Sequence, residues 1–214
     1  MAAPSVSNNS NSFPPSATAA SQSLLVPPLN FAMVMPGIYR SGFFNRRNYR
    51  FLRDSLKIRS VMHLSADEYT EHKIGQDNIV FMRENGIKMF SCKLKAHKEP
   101  FGHTEERVVA EALSILLDVR NHPVLVHDDK GKHRAGVLIG CLRKIQGWSL
   151  AAIFNEYALF TMGSVRLLDM QWIEFFSHPI HIEVEHVPRW LHLETEFQVI
   201  VPGSQNMRRR VEDD

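Results

Sequence analysis

Beyond about residue 25 the chain alternates short apolar runs with segments whose apolar residues recur every three or four positions, the spacings of buried strands and of one-sided helices. The runs GIYRSG (closed by Gly42), IRSVMHL, IKMFSCKL and PVLVH predict extended strands. NYRFLRDSL predicts a helix, and FMRENG a helix end with Gly86 beyond its last turn. TEERVVAEALSILLDVR predicts a longer helix burying Val108, Ala112, Ile115, Leu116 and Val119, with Thr104 as its N-cap and Glu105 and Glu106 favoured by the dipole. Three further helices are predicted in RAGVLIGCLRKIQ, SLAAIFNEYALFT and VRLLDMQWIEFF. The predicted class is α/β, a small and largely parallel sheet flanked by helices, with its ligand site at the carboxyl ends of the strands.

Composition marks the boundaries of this pattern. No Asp, Glu, Lys or Arg occurs before Arg40, and the opening is rich in Ser, Asn, Ala and Pro. Such a stretch buries too little apolar surface to order itself, so residues 1–25 are expected to be a disordered leader. Residues 26–178 are expected to form the domain and residues 179–214 a C-terminal extension. Neither a secretory nor a mitochondrial leader is predicted, and a cytoplasmic location is the expectation. No apolar run approaches the roughly 20 residues of a spanning helix, so no membrane partner is expected. A net charge of +2 over 214 residues lacks the basic excess of a nucleic-acid binder. Cys92 and Cys141 each sit in an apolar run and are expected to be buried free thiols.

Chemistry concentrates in HDDKGKHRAG, residues 127–136, between a predicted strand and a predicted helix. At such a corner successive N–H groups converge with the positive end of the helix dipole and hold anions. Asp129, Lys130, Gly131, Lys132, His133, Arg134 and Ala135 are therefore the expected phosphate-binding loop, with Gly131 allowing the tight curl. The loop's charges sum to only +1, because Asp128 and Asp129 oppose Lys130, Lys132 and Arg134.

This loop, with PPLNFAMVMPGIYRSGFFN, FLRDSLKIRSVMHLS, ENGIKMF, KEPFGHTEE, NHPVLVH and IFNEY in the same order and at similar spacing, resembles the plant and fungal atypical dual-specificity phosphatases. The resemblance runs from about Pro27 to about His178. It implies a compact cysteine-phosphatase fold, hydrolysis of inositol pyrophosphates, and weaker action on phosphoprotein and simple aryl phosphates. It also implies a loop of the form His-Cys-x-x-Gly-Lys-His-Arg-Thr-Gly, against which this chain has Asp128 at the nucleophile position and Ala135 in place of a hydroxyl that helps the sulfur leave. Two readings follow. In one the chain is a pseudophosphatase, an anion- or partner-binding module for inositol pyrophosphates or phosphoprotein, alone or with active paralogues. In the other it is an active phosphatase on inositol pyrophosphates, phosphotyrosine or phosphoserine, working through Asp128. The Asp128 carboxylate is expected to accept the loop's N–H groups as a built-in phosphate mimic, clamped by Arg134.

Several other residues bear on the site. Glu99 lies on the loop that the resemblance places over the pocket, either as a leaving-group acid or as a solvated residue. Lys95, Lys98 and His103 share that loop, where they either meet outer phosphates or are solvated. Arg40 either faces the site or makes a structural ion pair. His133 is expected to orient the loop. His178 and His181 have a spacing that recurs by chance, so HPIHIEVEHVPRWLH is read as an edge strand or docked tail, with no metal and no cofactor expected. RRR at 208–210 is read as a solvated tail.

Overall fold

A computed structural model describes residues 24–65, 69–70, 73–95, 105–191 and 199–200. Most of the predicted leader, Lys98, Glu99, His103, Thr104 and the arginine triplet at 208–210 lie outside the described residues. The strands are β1 (Ala32–Met35), β2 (Ile38–Ser41), β3 (Ser60–His63), β4 (Lys88–Ser91) and β5 (Val124–His127), arranged as β1-β2-β5-β3-β4. β5 lies parallel between β2 and β3, β4 runs parallel to β3, and only β1 is antiparallel. The small, largely parallel sheet expected from the pattern is thus present, with β1 as an additional edge strand. That strand was not anticipated, because AMVM gives too short an apolar run to stand out from the loop before it. Gly37, at φ +86, turns it into β2.

The central strands are buried on both faces, as parallel strands covered by helices must be. In β5, Val124 and Val126 point into a core shared with α2 (Glu106–Leu116) and α3 (His133–Ile145), while Leu125 points into a second core with Phe44, Leu52 and Phe81. This second core is covered by residues 46–58 and by α1 (Lys73–Glu84). The α1 chain leaves its last turn through Gly86 at φ +64, as predicted.

The helix expected in NYRFLRDSL is present but differs in winding from an α-helix: a 3-10 turn at Arg46–Asn48 leads into a π-helical stretch at Phe51–Ser55, in which Leu56 N–H reaches the Phe51 carbonyl at 3.1 Å. Asn45 and Asn48 side chains bind backbone N–H groups at its start and set the tight opening. The buried face of α2 is also rotated from the expected one. It comprises Val109, Ala110, Ala112, Leu113 and Leu116, whereas Val108 and Ile115 are half-buried and Val119 lies beyond the helix and exposed. Both stripes have helical spacing, and the one carrying Leu113 is turned to α3. The N-cap position is Glu105, which makes no side-chain cap bond.

α3 is crossed closely by α4 (Leu150–Thr161) and α5 (Leu167–Phe175) because it presents glycine at both crossings. A Cβ on Gly136 would come 2.8 Å from the Tyr157 ring, and one on Gly140 2.7 Å from Ile173. Beyond α5, Ile180 and Ile182 enter the first core beside α2, and β6 (Ile180–His181) pairs in parallel with β7 (Val199–Ile200). No helix among the described residues is long and apolar enough to cross a membrane.

One buried ion pair joins three elements. Arg143 of α3 meets both carboxylate oxygens of Glu156 on α4, at 2.7 and 3.0 Å, and donates to the Val34 carbonyl of β1 at 3.2 Å. Its guanidinium also lies 4.2 Å over the Trp148 ring. Removing one partner of a buried pair strands the other charge, so Arg143→Ala is expected to cost about 3 kcal/mol in urea denaturation. Arg143→Lys should recover little of that loss, because an ammonium cannot reproduce the fork.

Candidate active site

The carboxyl ends of β2, β3 and β5 lie side by side, with Ser41 and His63 both opposite His127. From His127 the chain turns through residues 128–132 into the first turn of α3. Gly131 has φ +68, and a Cβ there would lie 2.6 Å from the Gly42 nitrogen, so only glycine fits between this loop and the end of β2. Asn30 clasps the loop from one side, its amide donating to the Gly131 carbonyl at 2.8 Å and to that of Phe160 at 3.0 Å.

Asp128 is 4% exposed and lies on the floor of the corner. Its Oδ1 accepts the N–H groups of Lys130 at 2.9 Å, Gly131, and Lys132 at 3.3 Å, and its Oδ2 accepts that of Ala135 at 3.1 Å. The carboxylate thus occupies the place that an anion takes in such a nest. The expected clamp by Arg134 is corrected: Arg134 reaches Asp129 instead, at 3.3 Å, because it rises from the first turn of α3 toward the mouth of the cleft. Its Nε is buried and has no hydrogen-bond partner among the described residues.

Above this floor lies a cleft of about 500 Å³ lined by Asp128, Asp129, Lys130, Lys132, His133 and Arg134 from the loop, together with Ser164 and Arg166 from the turn between α4 and α5. Gly131 and Ala135 shape the floor and do not line the opening. Ser164 and Arg166 escaped the sequence reading, since nothing local marks them. The nearest signal is a cation at the start of an apolar helix, where the dipole disfavours it. With Arg166 the lining carries four cations against two carboxylates, and is more positive than the loop alone.

A family model described as Tyrosine phosphatase family matches residues 25–194. The chain belongs to that family. It is 47% identical over 158 residues to Inositol diphosphatase DSP1 of Oryza sativa subsp. japonica, covering 74% of this chain and 68% of that protein. To Inositol diphosphatase DSP4 of Arabidopsis thaliana it is 46% identical over 154 residues, 72% of this chain and 75% of the relative. The core catalytic domain of the PP-IP phosphatase SIW14 from S. cerevisiae, solved in complex with citrate, superposes with a TM-score of 0.66 at 38% identity, covering 72% of this chain and 88% of that one. The cysteine-phosphatase fold expected from the sequence is therefore the fold of this tyrosine-phosphatase-family chain.

Within this family member, the remaining candidates take definite places. Arg40 neither faces the cleft nor makes an ion pair among the described residues. It is buried beneath the loop, donates to the Gly131 carbonyl at 3.0 Å, and lies 3.8 Å over the Phe160 ring. Burial brings its guanidinium down to about 10, still protonated at neutral pH. His133 Nδ1 lies 3.1 Å from the Tyr157 hydroxyl, which donates to Asp169 at 2.5 Å, so the ring is fixed on α4 and α5. Both cysteines are buried away from the cleft, and burial raises both thiols, Cys92 to about 11. His178 and His181 border a separate cleft of about 550 Å³ beside α2, along with Arg107 and Glu111.

His127 is fully buried in a cage formed by Phe43, Phe44, Tyr69 and His63, with ring centroids 5.1 to 5.6 Å away. Burial, and then the neighbouring His63, pushes its imidazole down to about 3. Between pH 6.5 and that value the unfolded chain takes up a proton that the folded chain refuses, so stability contributed by the neutral ring falls as pH falls. From pH 6.5 to 5 this amounts to about 2 kcal/mol. Urea denaturation at the two pH values should show that much less loss for His127→Gln than for the parent; equal losses would assign the acid sensitivity to other groups.

Proposed function

We propose that this chain is a pseudophosphatase of the inositol-diphosphatase type, a cytoplasmic module that binds inositol pyrophosphates without efficient turnover. The observation that carries the reading is the Asp128 carboxylate bound by four loop N–H groups. A cysteine phosphatase needs a single nucleophilic atom above the floor, free to attack phosphorus and then to leave. In this reading Asp128 stands where that thiolate would be. It keeps the unit charge but spends both oxygens on backbone donors. Ala135 contributes its N–H to the same carboxylate and has no hydroxyl to help a leaving group. Loss of a catalytic nucleophile commonly costs on the order of a millionfold in rate. The cations at the mouth remain, and they suit a phosphorylated small molecule first and a phosphoprotein second. Assembly with active paralogues is part of the same proposal, as a route by which a binding module affects turnover elsewhere.

The second reading, an active phosphatase on inositol pyrophosphates, is favoured by the activity named for its relatives at 46–47% identity. Here Asp128 itself would accept the phosphoryl group, through Oδ2, which has one N–H donor against three on Oδ1.

Phosphate release from a diphosphoinositol substrate, with and without Mg²⁺, separates the two readings. The parent should release phosphate no faster than the uncatalysed background, whereas Asp128→Cys should gain vanadate-sensitive turnover of at least about a thousandfold over that background, part of the range a nucleophile commands. Adding Ala135→Thr should raise the steady state further, because the hydroxyl assists the second step. Release by the parent that disappears in Asp128→Ala would establish the second reading.

A further inference from the structure

We infer that the cleft reads anions through its rim, and that its self-filled floor makes it select polyphosphates over a lone phosphate. The inference rests on the proposed function in taking the same cleft as the binding site.

In a strand–loop–helix corner a single oxyanion is held chiefly by convergent N–H groups of the loop. Here the N–H groups of Lys130, Gly131, Lys132 and Ala135 are directed at Asp128, each at or within 3.3 Å of a carboxylate oxygen. Each carries one proton. An incoming phosphate would have to displace the carboxylate to use them, and would otherwise sit beside a buried negative charge. The floor therefore has little to offer a lone phosphate.

The rim is built differently. Lys130, Lys132 and Arg134 stand on the loop side, and Arg166 is brought to the cleft from the α4–α5 turn. About 500 Å³ is room for a small organic ligand, far more than one phosphate fills. Arg134 is incompletely satisfied: its contact at 3.3 Å is with Asp129, whose side chain is 58% exposed, and its Nε has no partner among the described residues. An exposed pair of that kind exchanges readily for a stronger anion. Arg166 opens α5 without making a side-chain cap bond, at the end of a helix where the dipole opposes a cation. A ligand with several phosphates fits a cleft of this volume and can meet Arg166 and the loop cations at once.

Calorimetric titration of the full chain with inositol hexakisphosphate and with inorganic phosphate, at fixed ionic strength, tests this. The parent is expected to bind the hexakisphosphate at least a hundredfold more tightly than phosphate, and Arg166→Ala to weaken the hexakisphosphate at least tenfold. Asp128→Ser, which empties the floor, should tighten phosphate binding at least tenfold, with Asp128→Ala, which also empties it, tightening it in the same direction should the serine variant fold poorly. Asp129→Asn removes the same charge but leaves the floor filled, and should tighten phosphate less than threefold. Tight hexakisphosphate binding with phosphate bound equally well by the parent and by both Asp128 variants would overturn this inference alone. So would a gain in Asp129→Asn matching that of Asp128→Ser, or an unchanged hexakisphosphate affinity in Arg166→Ala. No hexakisphosphate binding by the parent would overturn the proposed function and this inference with it.

Discussion

The capture of the Asp128 carboxylate by the N–H groups of its own loop is the interaction around which the corner is organised. A buried carboxylate costs several kcal/mol in lost hydration, and charge-assisted hydrogen bonds return about 1.5–3 kcal/mol each. Asp128 receives four of them together with the positive end of the α3 dipole. Meeting that demand fixes the path of residues 128–135, because three donors must converge on one oxygen and a fourth on the other. Gly131 follows from this path: the curl that brings its N–H inward pushes its Cα against Ser41 and Gly42, where no side chain fits.

A second set of contacts supports the loop from outside. Its N–H groups face inward, so its carbonyls face outward, and they find Arg40 and Asn30. Arg40 is buried at 1% exposure, which would be expensive for a cation lacking acceptors; the loop carbonyls and the Phe160 face provide them. Asn30 links the same carbonyl of Gly131 to the last turn of α4. The loop is thereby tied to the helix that precedes the Arg166 turn. The His133–Tyr157–Asp169 chain makes a parallel connection from the first turn of α3 through α4 to α5. The two sides of the cleft are thus joined by hydrogen bonds and are not merely adjacent.

These layers explain what could be read from the chain and what could not. The strand-to-helix corner, Gly131 and the carboxylate acting as its own phosphate were legible because each is local: β-branched residues before the loop, glycine within it and helical spacing after it. Arg134 was placed in the site but given the wrong partner, since Asp128 and Asp129 are neighbours in sequence and only the direction of the helix start distinguishes them. Arg40 was legible as a residue of the site or of an ion pair but not as a buried brace, because its acceptors are carbonyls some 91 residues away. Arg166 was illegible for the same reason, brought to the cleft by the crossing of α3 with α4 and α5. The α2 face was misplaced by one position because both apolar stripes satisfy the helical period, and only the position of α3 selects between them.

The two halves of the site answer to different demands. Asp128, Gly131 and the Ala135 N–H are accounted for by the corner's own need to pair a helix dipole and converging donors with an anion. An open nest would depend on water or a bound ligand to satisfy those donors, and folding would be coupled to ligand concentration through them. With the anion built in, the corner is complete without ligand, and that coupling shrinks to whatever the rim contributes. The rim is the reverse case. Lys130, Lys132, Arg134 and Arg166 crowd around one opening, with Asp129 as the exposed counter-charge at 3.3 Å from Arg134. Their mutual repulsion is a cost that Asp129 and the Asp128 carboxylate below offset only in part, four cations facing two carboxylates. Residues that satisfy the fold occupy the floor, and residues that strain it occupy the mouth, which is the distribution expected where stability comes from one layer and ligand recognition from the other.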